Sequence, residues 1–179
     1  MPTHNNHKGA KIWGIILLII VIIAAVYAAY SFINVNKRNI TKARTARVNV
    51  EYADLLTEIQ KVNLDRHEIY VLCHSTLRHN ASAIAQEKLK HESLAASNAI
   101  QTSFVDLTDQ ITNMKRAGHF TQEARHALDS YVAEVTPLAQ AINVCDISLS
   151  MPPVYKAQEQ KLSTVLLQSQ KYIVSGHDD

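Results

Sequence analysis

Hydrophobic residues are spread along this chain in two different ways. From Ile12 to Ile33 they run without a break, IWGIILLIIVIIAAVYAAYSFI, with no charge and only Ser31 markedly polar. About 20 such residues at 1.5 Å each cross the ~30 Å hydrocarbon layer of a bilayer. Trp13 at one end, and Tyr27 and Tyr30 towards the other, suit the two interfaces. A core helix of a soluble domain keeps a polar face for water, and this stretch has none. The pattern predicts a retained transmembrane helix over 12–34. A cleaved signal peptide is the main competing reading, with Lys8 and Lys11 as its basic flank and Val26-Tyr27-Ala28 as a loose cleavage site. The run is longer than the roughly 7–15 apolar residues of a signal peptide. A prepilin-type leader ending at Gly9 fits less well, because no early acidic residue follows it.

After this run the apolar residues recur at helical spacing. Val48, Tyr52, Leu55, Ile59, Val62, Arg66, Ile69, Cys73 and Thr76 alternate steps of four and three, a heptad seam with one charge in it. This predicts a helix from about Asn36 to His79-Asn80, running on from the membrane helix. A second helix is expected over 81–117, with Leu89, Ser93, Ala96, Ile100, Phe104 (or Ser103), Leu107, Ile111 and Met114 inward and Gly118 just past its end. Small polar residues in its first half predict close or weak packing there. A third helix opens at Thr121 as N-cap and turns Phe120, Ala124, Ala127, Leu128, Tyr131, Val135, Leu138 and Ile142 inward, with Pro137 kinking or splitting it. Residues 146–151 read as a loop. Pro152-Pro153 opens a fourth helix with Tyr155, Leu162, Val165, Leu166, Ser169, Tyr172 and Ile173 on one face, ended by Gly176.

The predicted fold is therefore all-α: one N-terminal transmembrane helix, then an antiparallel up-down bundle of about four helices. The expected organisation is a polar tail over 1–11, the span over 12–34, a basic juxtamembrane stalk over 35–47, the bundle over 48–176 and a tail over 177–179. Composition agrees. The 179 residues include only 4 Gly and 4 Pro, too few for the frequent turns of a β-sandwich or barrel. With 18 basic and 16 acidic residues the net charge is +2, and aromatics are 6%, so neither a global field nor stacking platforms point to nucleic acid.

Charge and cysteine bear on topology and pull in opposite directions. Lys37, Arg38, Lys42, Arg44 and Arg47 follow the span and outnumber Lys8 and Lys11 before it. Counted literally, this favours a cytoplasmic bundle. An N-terminal anchor ahead of a long soluble domain is instead the layout of an exported, tethered module. Cys73 and Cys145 fall on the first and third seams at similar heights. The topology permits a disulfide between them, which would favour an oxidising compartment; two buried free thiols are the alternative. We expect the extracytoplasmic side. The basic flank reads first as an ordinary charged flank that stops the span from sliding, with contact to anionic head groups as the alternative.

Candidate chemistry is sparse. Glu123 and His126 form one Glu-x-x-His where a di-iron bundle needs two, and Glu87 with His91 does not supply the second. His67, Cys73 and His74 could place a soft ligand beside imidazole, but the two histidines are seven apart and Cys73 faces the core, so no metal site is expected there. A nucleophile elbow, a Gly-rich phosphate loop and HExxH are all missing. We expect no cofactor and no catalysis. Arg66 on the first seam reads either as a polar key that fixes register or contacts a partner, or as an edge residue whose guanidinium reaches out to water; the second reading is preferred. Asn80-Ala81-Ser82 is a formal glycosylation sequon. The expected function is a membrane-anchored interaction or scaffold protein, an accessory subunit of a cell-envelope complex. Its expected partners are the lipid bilayer, other membrane or envelope proteins through the helix faces, and further copies of itself in a homo-oligomer. The alternatives are an extracytoplasmic four-helix sensor or ligand-binding module, and a phage-type lysis or envelope-spanning protein.

Overall fold

Helix dominates the computed structural model, which describes residues 6–77, 83–149 and 152–176, with side chains over 17–74, 85–149 and 152–176. Four α-helices follow in order: α1 (Asn6–Leu77), α2 (Ala83–Arg116), α3 (Gln122–Ala139) and α4 (Pro152–Val174). A 3₁₀ turn, Val144–Asp146, precedes α4. No strand occurs among the described residues. The expected end of the first helix at His79-Asn80, the sequon, the seam side chain of Thr76, the side chain of Trp13 and the tail 177–179 lie outside what is described. The chain divides into two units, Met1–Thr45 and Ala46–Asp179.

In the first unit α1 is long and apolar enough to cross a membrane. Every large apolar side chain described there is exposed, and those from Leu17 to Ile33 lie between 50% and 74%. The helix itself follows from an unbroken run without Pro and with Ala at 24, 25, 28 and 29.

In the second unit α1 turns one stripe inward. Val48, Tyr52, Leu55, Ile59, Val62, Ile69 and Cys73 are all at most 3% exposed. Cross-helix hydrogen bonds give the directions. On α1, Tyr52, Asn63 and Arg66 meet His119, Tyr131 and Glu134 in rising order, so α3 runs parallel to α1. His67 meets Tyr155 and Asn49 meets Gln170, so α4 runs antiparallel to it. Asp65 meets Ser103 and the Glu51 carbonyl meets Gln110, so α2 is antiparallel as well. The result is an up-down four-helix bundle around one core.

The links are made by local chemistry. Gly118 takes φ +70°, and its N–H bonds Lys115 O while His119 N–H bonds Met114 O. That pair of bonds closes the α2 C-terminus and needs a left-handed residue at Gly118. Thr121 caps α3 by accepting from Ala124 N–H at 3.3 Å. Pro152 is the first residue of α4, where a missing N–H is harmless.

Three inward residues are misplaced by the sequence reading. Ile142 is 87% exposed rather than on the α3 seam. Pro137 sits in the last turn of α3, withdraws one N–H from the ladder, and the helix stops at Ala139, so Ile142 falls in the following turn. For the same reason Cys145 reaches the core from the 3₁₀ turn and not from α3. Tyr172 is 40% exposed, because the α4 face is carried by Ser169, three residues before it, and Ile173, directly after it.

Candidate functional site

Two clusters of polar side chains inside the bundle involve α1, and a third group, Ser93 and Ser97 of α2 with Asn143 and the Ala141 carbonyl, lies beside the 3₁₀ turn. The first closes the end where α1 enters the second unit. The Tyr52 hydroxyl donates to His119 O at 2.7 Å and accepts from Ser169 Oγ at 2.8 Å. Ser169 Oγ in turn accepts from Thr121 N–H at 2.9 Å. One hydroxyl pair thus satisfies two backbone groups of the α2–α3 link, which would otherwise be buried without partners. Burial pushes the Tyr52 hydroxyl up to about 12, against a smaller opposing pull from Ser169. Beside it His119 Nδ1 bonds Glu51 Oε2, and Arg47 Nε bonds Glu51 Oε1 at 2.8 Å. Burial raises the Glu51 carboxyl, but the hydrogen bonds and charges of Arg47 and His119 outweigh it and hold the group below its usual range.

The second cluster is a belt across mid-bundle. Arg66, 4% exposed, bonds Glu134 on α3 through Nη2, and its guanidinium carbon lies 4.7 Å from the centre of the Tyr155 ring. The Tyr155 hydroxyl and His67 Nδ1 share a 2.8 Å hydrogen bond. The Tyr131 hydroxyl donates to Asn63 Oδ1 at 2.7 Å, while Asn63 Nδ2 is buried without a partner. Ser103 on α2 donates to Asp65 at 2.6 Å. The belt therefore draws on all four helices. Burial raises the Tyr131 and Tyr155 hydroxyls, and the Arg66 charge works against it in both.

A groove of ≈ 370 Å³ runs between α3 and α4 over this belt. Ala127, Leu162 and Val165 line it together with Tyr131, and Glu123, His126, Glu134, Gln158 and Lys161 supply its polar atoms. Glu134 and Tyr131 belong both to the groove and to the belt, so a molecule seated there would touch residues already tied to α1.

The candidate residues read from sequence fall in different places. Cys73 and Cys145 come together, with Cα atoms 5.2 Å apart and their sulfurs bonded. Arg66 is buried and not at an edge; its guanidinium reaches Glu134 and Tyr155 and not solvent, so the preferred edge reading is corrected. Lys37, Arg38, Lys42, Arg44 and Arg47 are all exposed on α1. Glu123 and His126 line the open groove, and Glu87 and His91 pair loosely at 3.7 Å on the α2 surface. His74 stacks on Tyr70 with ring centres 4.0 Å apart. Among the described residues no group of three His, Cys, Asp or Glu side chains is placed to hold a metal ion.

Sequence reasoning missed His119, Glu51, Asn63 and Glu134. Each is a polar residue beside a seam, and its partner sits 68 positions away. Periodicity along one helix carries no information about that pairing. It also missed a charge division that was countable. Six of the 18 basic residues and none of the 16 acidic ones precede Ala46, which leaves 12 against 16 after it. No protein-family model matches the chain, and neither a curated protein nor a solved structure is significantly similar to it.

Proposed function

We propose that the chain is a single-pass membrane protein whose bundle lies outside the cytoplasm and serves as a non-catalytic interaction or scaffold subunit of a cell-envelope complex. The observation that carries this reading is the burial contrast along α1. Its first stretch exposes large apolar side chains on every face, while its later stretch closes a complete core. A bundle with a satisfied core does not need the apolar run for its own folding, so the run is free to lie in lipid. The extracytoplasmic side is supported by the Cys73–Cys145 pair, because disulfides persist in oxidising compartments. An interaction role is supported by large apolar residues left on the outer face of α1, Val50, Leu64 and Val71, at 60%, 64% and 50% exposure.

The test is thiol labelling of intact cells with a membrane-impermeant mass tag, with and without prior reduction, using Cys73→Ser and Cys145→Ser controls. Labelling that appears only after reduction supports the tethered external module. Labelling that requires permeabilised cells and ignores reductant puts the bundle inside and removes the envelope reading. A photo-crosslinker at position 64 then addresses the interaction role: a discrete adduct in cells supports it, and none at 50, 64 or 71 counts against it.

The α3–α4 groove favours a second reading, a ligand-binding module, because it is lined by polar groups tied to α1 through Glu134 and Tyr131. Saturable binding of a small molecule that is lost in Glu134→Gln would move the assignment there.

A further inference from the structure

We infer that the start of the basic stretch of α1, at Lys37, Arg38 and Lys42, is a binding surface for anionic phospholipid head groups. The inference rests on the membrane-anchored reading above and gives that anchor a lipid preference. Three observations carry it.

The charge is of one sign. No Asp or Glu occurs before Glu51, so nothing on this stretch offsets the cations locally. The side chains are presented outward, since Lys37, Arg38 and Lys42 are all exposed. Exposed Phe32, Ile33, Val35 and Ile40 lie before and among them, which gives apolar contacts beside each charge.

Depth along the helix then ranks the residues. If the apolar run ends at Ile33, a rise of 1.5 Å per residue puts Lys37 about 6 Å beyond it and Arg38 about 8 Å beyond it. The head-group layer is roughly 5–8 Å thick on each side, so these two cations share a layer with the phosphates. Lys42 follows at about 14 Å, within a Debye length (~8 Å) of that layer's outer edge. Arg44 and Arg47 stand at about 16 and 21 Å. Arg47 is also engaged by Glu51 at 2.8 Å. Its charge is shared before lipid is reached. The contribution should therefore fall from Lys37 and Arg38 through Lys42 to almost nothing at Arg47. Near-surface basic residues strengthen binding to anionic membranes by roughly fivefold each.

The experiment uses the full chain in phosphatidylcholine vesicles containing a trace of spin-labelled phosphatidylglycerol or spin-labelled phosphatidylcholine. Vesicles are first washed at alkaline pH, and electron spin resonance then measures how strongly each lipid is retained at the protein boundary. Both leaflets carry the same lipids, so orientation does not enter. The expected result is a roughly fivefold or greater preference for the anionic lipid at low salt, falling towards one at 0.5 M salt as screening shortens its reach. Lys37→Gln/Arg38→Gln/Lys42→Gln should reduce that preference below about twofold, while Arg44→Gln/Arg47→Gln should keep most of it. A chain that survives the wash but shows no preference, or one whose triple variant keeps it, overturns the lipid site and leaves the anchor standing. A chain stripped by the wash overturns the anchor itself, and the depth assignment goes with it.

Discussion

Residues 17–33 and residues 48–73 lie on the same helix and are both rich in aliphatic side chains, yet they meet opposite surroundings. In the first stretch Leu17, Ile22 and Phe32 are at least half exposed, at 61%, 53% and 74%. In the second Tyr52, Leu55 and Val62 are fully buried. Hydrophobicity alone does not separate them. The difference is angular: the later stretch concentrates its apolar residues on one seam, and the earlier one has them all round. A seam can be covered by three partner helices. A helix that is apolar on every face needs a solvent that is itself apolar.

The largest effect that would break this contrast is charge at the centre of the first stretch. Ile20→Arg with Ile23→Arg carries a cost of about 6 kcal/mol for membrane insertion, at roughly 3 kcal/mol per residue. The expected outcome is loss of the chain from alkaline-washed membranes, with the bundle's melting temperature unchanged. A fall in melting temperature would mean the apolar run packs against protein, and the comparison would collapse.

The next effect tests the far end of the buried seam. Cys73→Ser opens a loop of 72 residues and should lower stability by about 4 kcal/mol. Thermal melts should show the wild type falling to the variant's value in reductant, with the variant indifferent to it. Equal melts with and without reductant in the wild type would mean the bridge adds nothing.

The seam residues show where the sequence was readable. Val48 through Ile69 could be placed because burial repeats with the helix period, and each position is decided by its neighbours on the same helix. Thr121 and Gly118 were legible for a similar reason, since caps depend on a few consecutive residues. Legibility failed where the period stopped. Pro137 was visible, but whether it kinks α3 or ends it depends on what the next turn can bond to. Here Gln140 N–H reaches Thr136 O at 3.0 Å and Ala141 N–H reaches Leu138 O, and Ile142 is released to solvent. Arg66 failed differently. A charge on a seam snorkels unless an acid waits opposite, and Glu134 sits 68 residues further on.

Arg66 offers a sharper test inside the buried stretch. Arg66→Met should cost about 2 kcal/mol, less than a fully buried pair because Glu134 is 28% exposed and partly solvated. Adding Glu134→Leu should recover most of the loss, since the remaining carboxylate is the source of the penalty. Urea unfolding of the single and double variants measures this. No recovery in the double variant would show that the ring contact with Tyr155, and not the ion pair, carries the effect.

The smallest effect lies where the all-basic stretch gives way to the bundle. Glu51 is the first acid in the chain, and Arg47 and His119 both hold it ionised. Its folded pKa is lowered from 4.5, so its stabilisation is complete above that value and fades as pH falls through the lowered one. As pH falls below 4.5 the wild type should lose more stability than Glu51→Gln, which has no proton to gain. Urea midpoints across that range give the comparison directly. Parallel curves would mean that Arg47 and His119 do not favour the ionised carboxylate. The residue would then mark the boundary between the two stretches in charge count alone, without helping to fasten the α2–α3 link to α1.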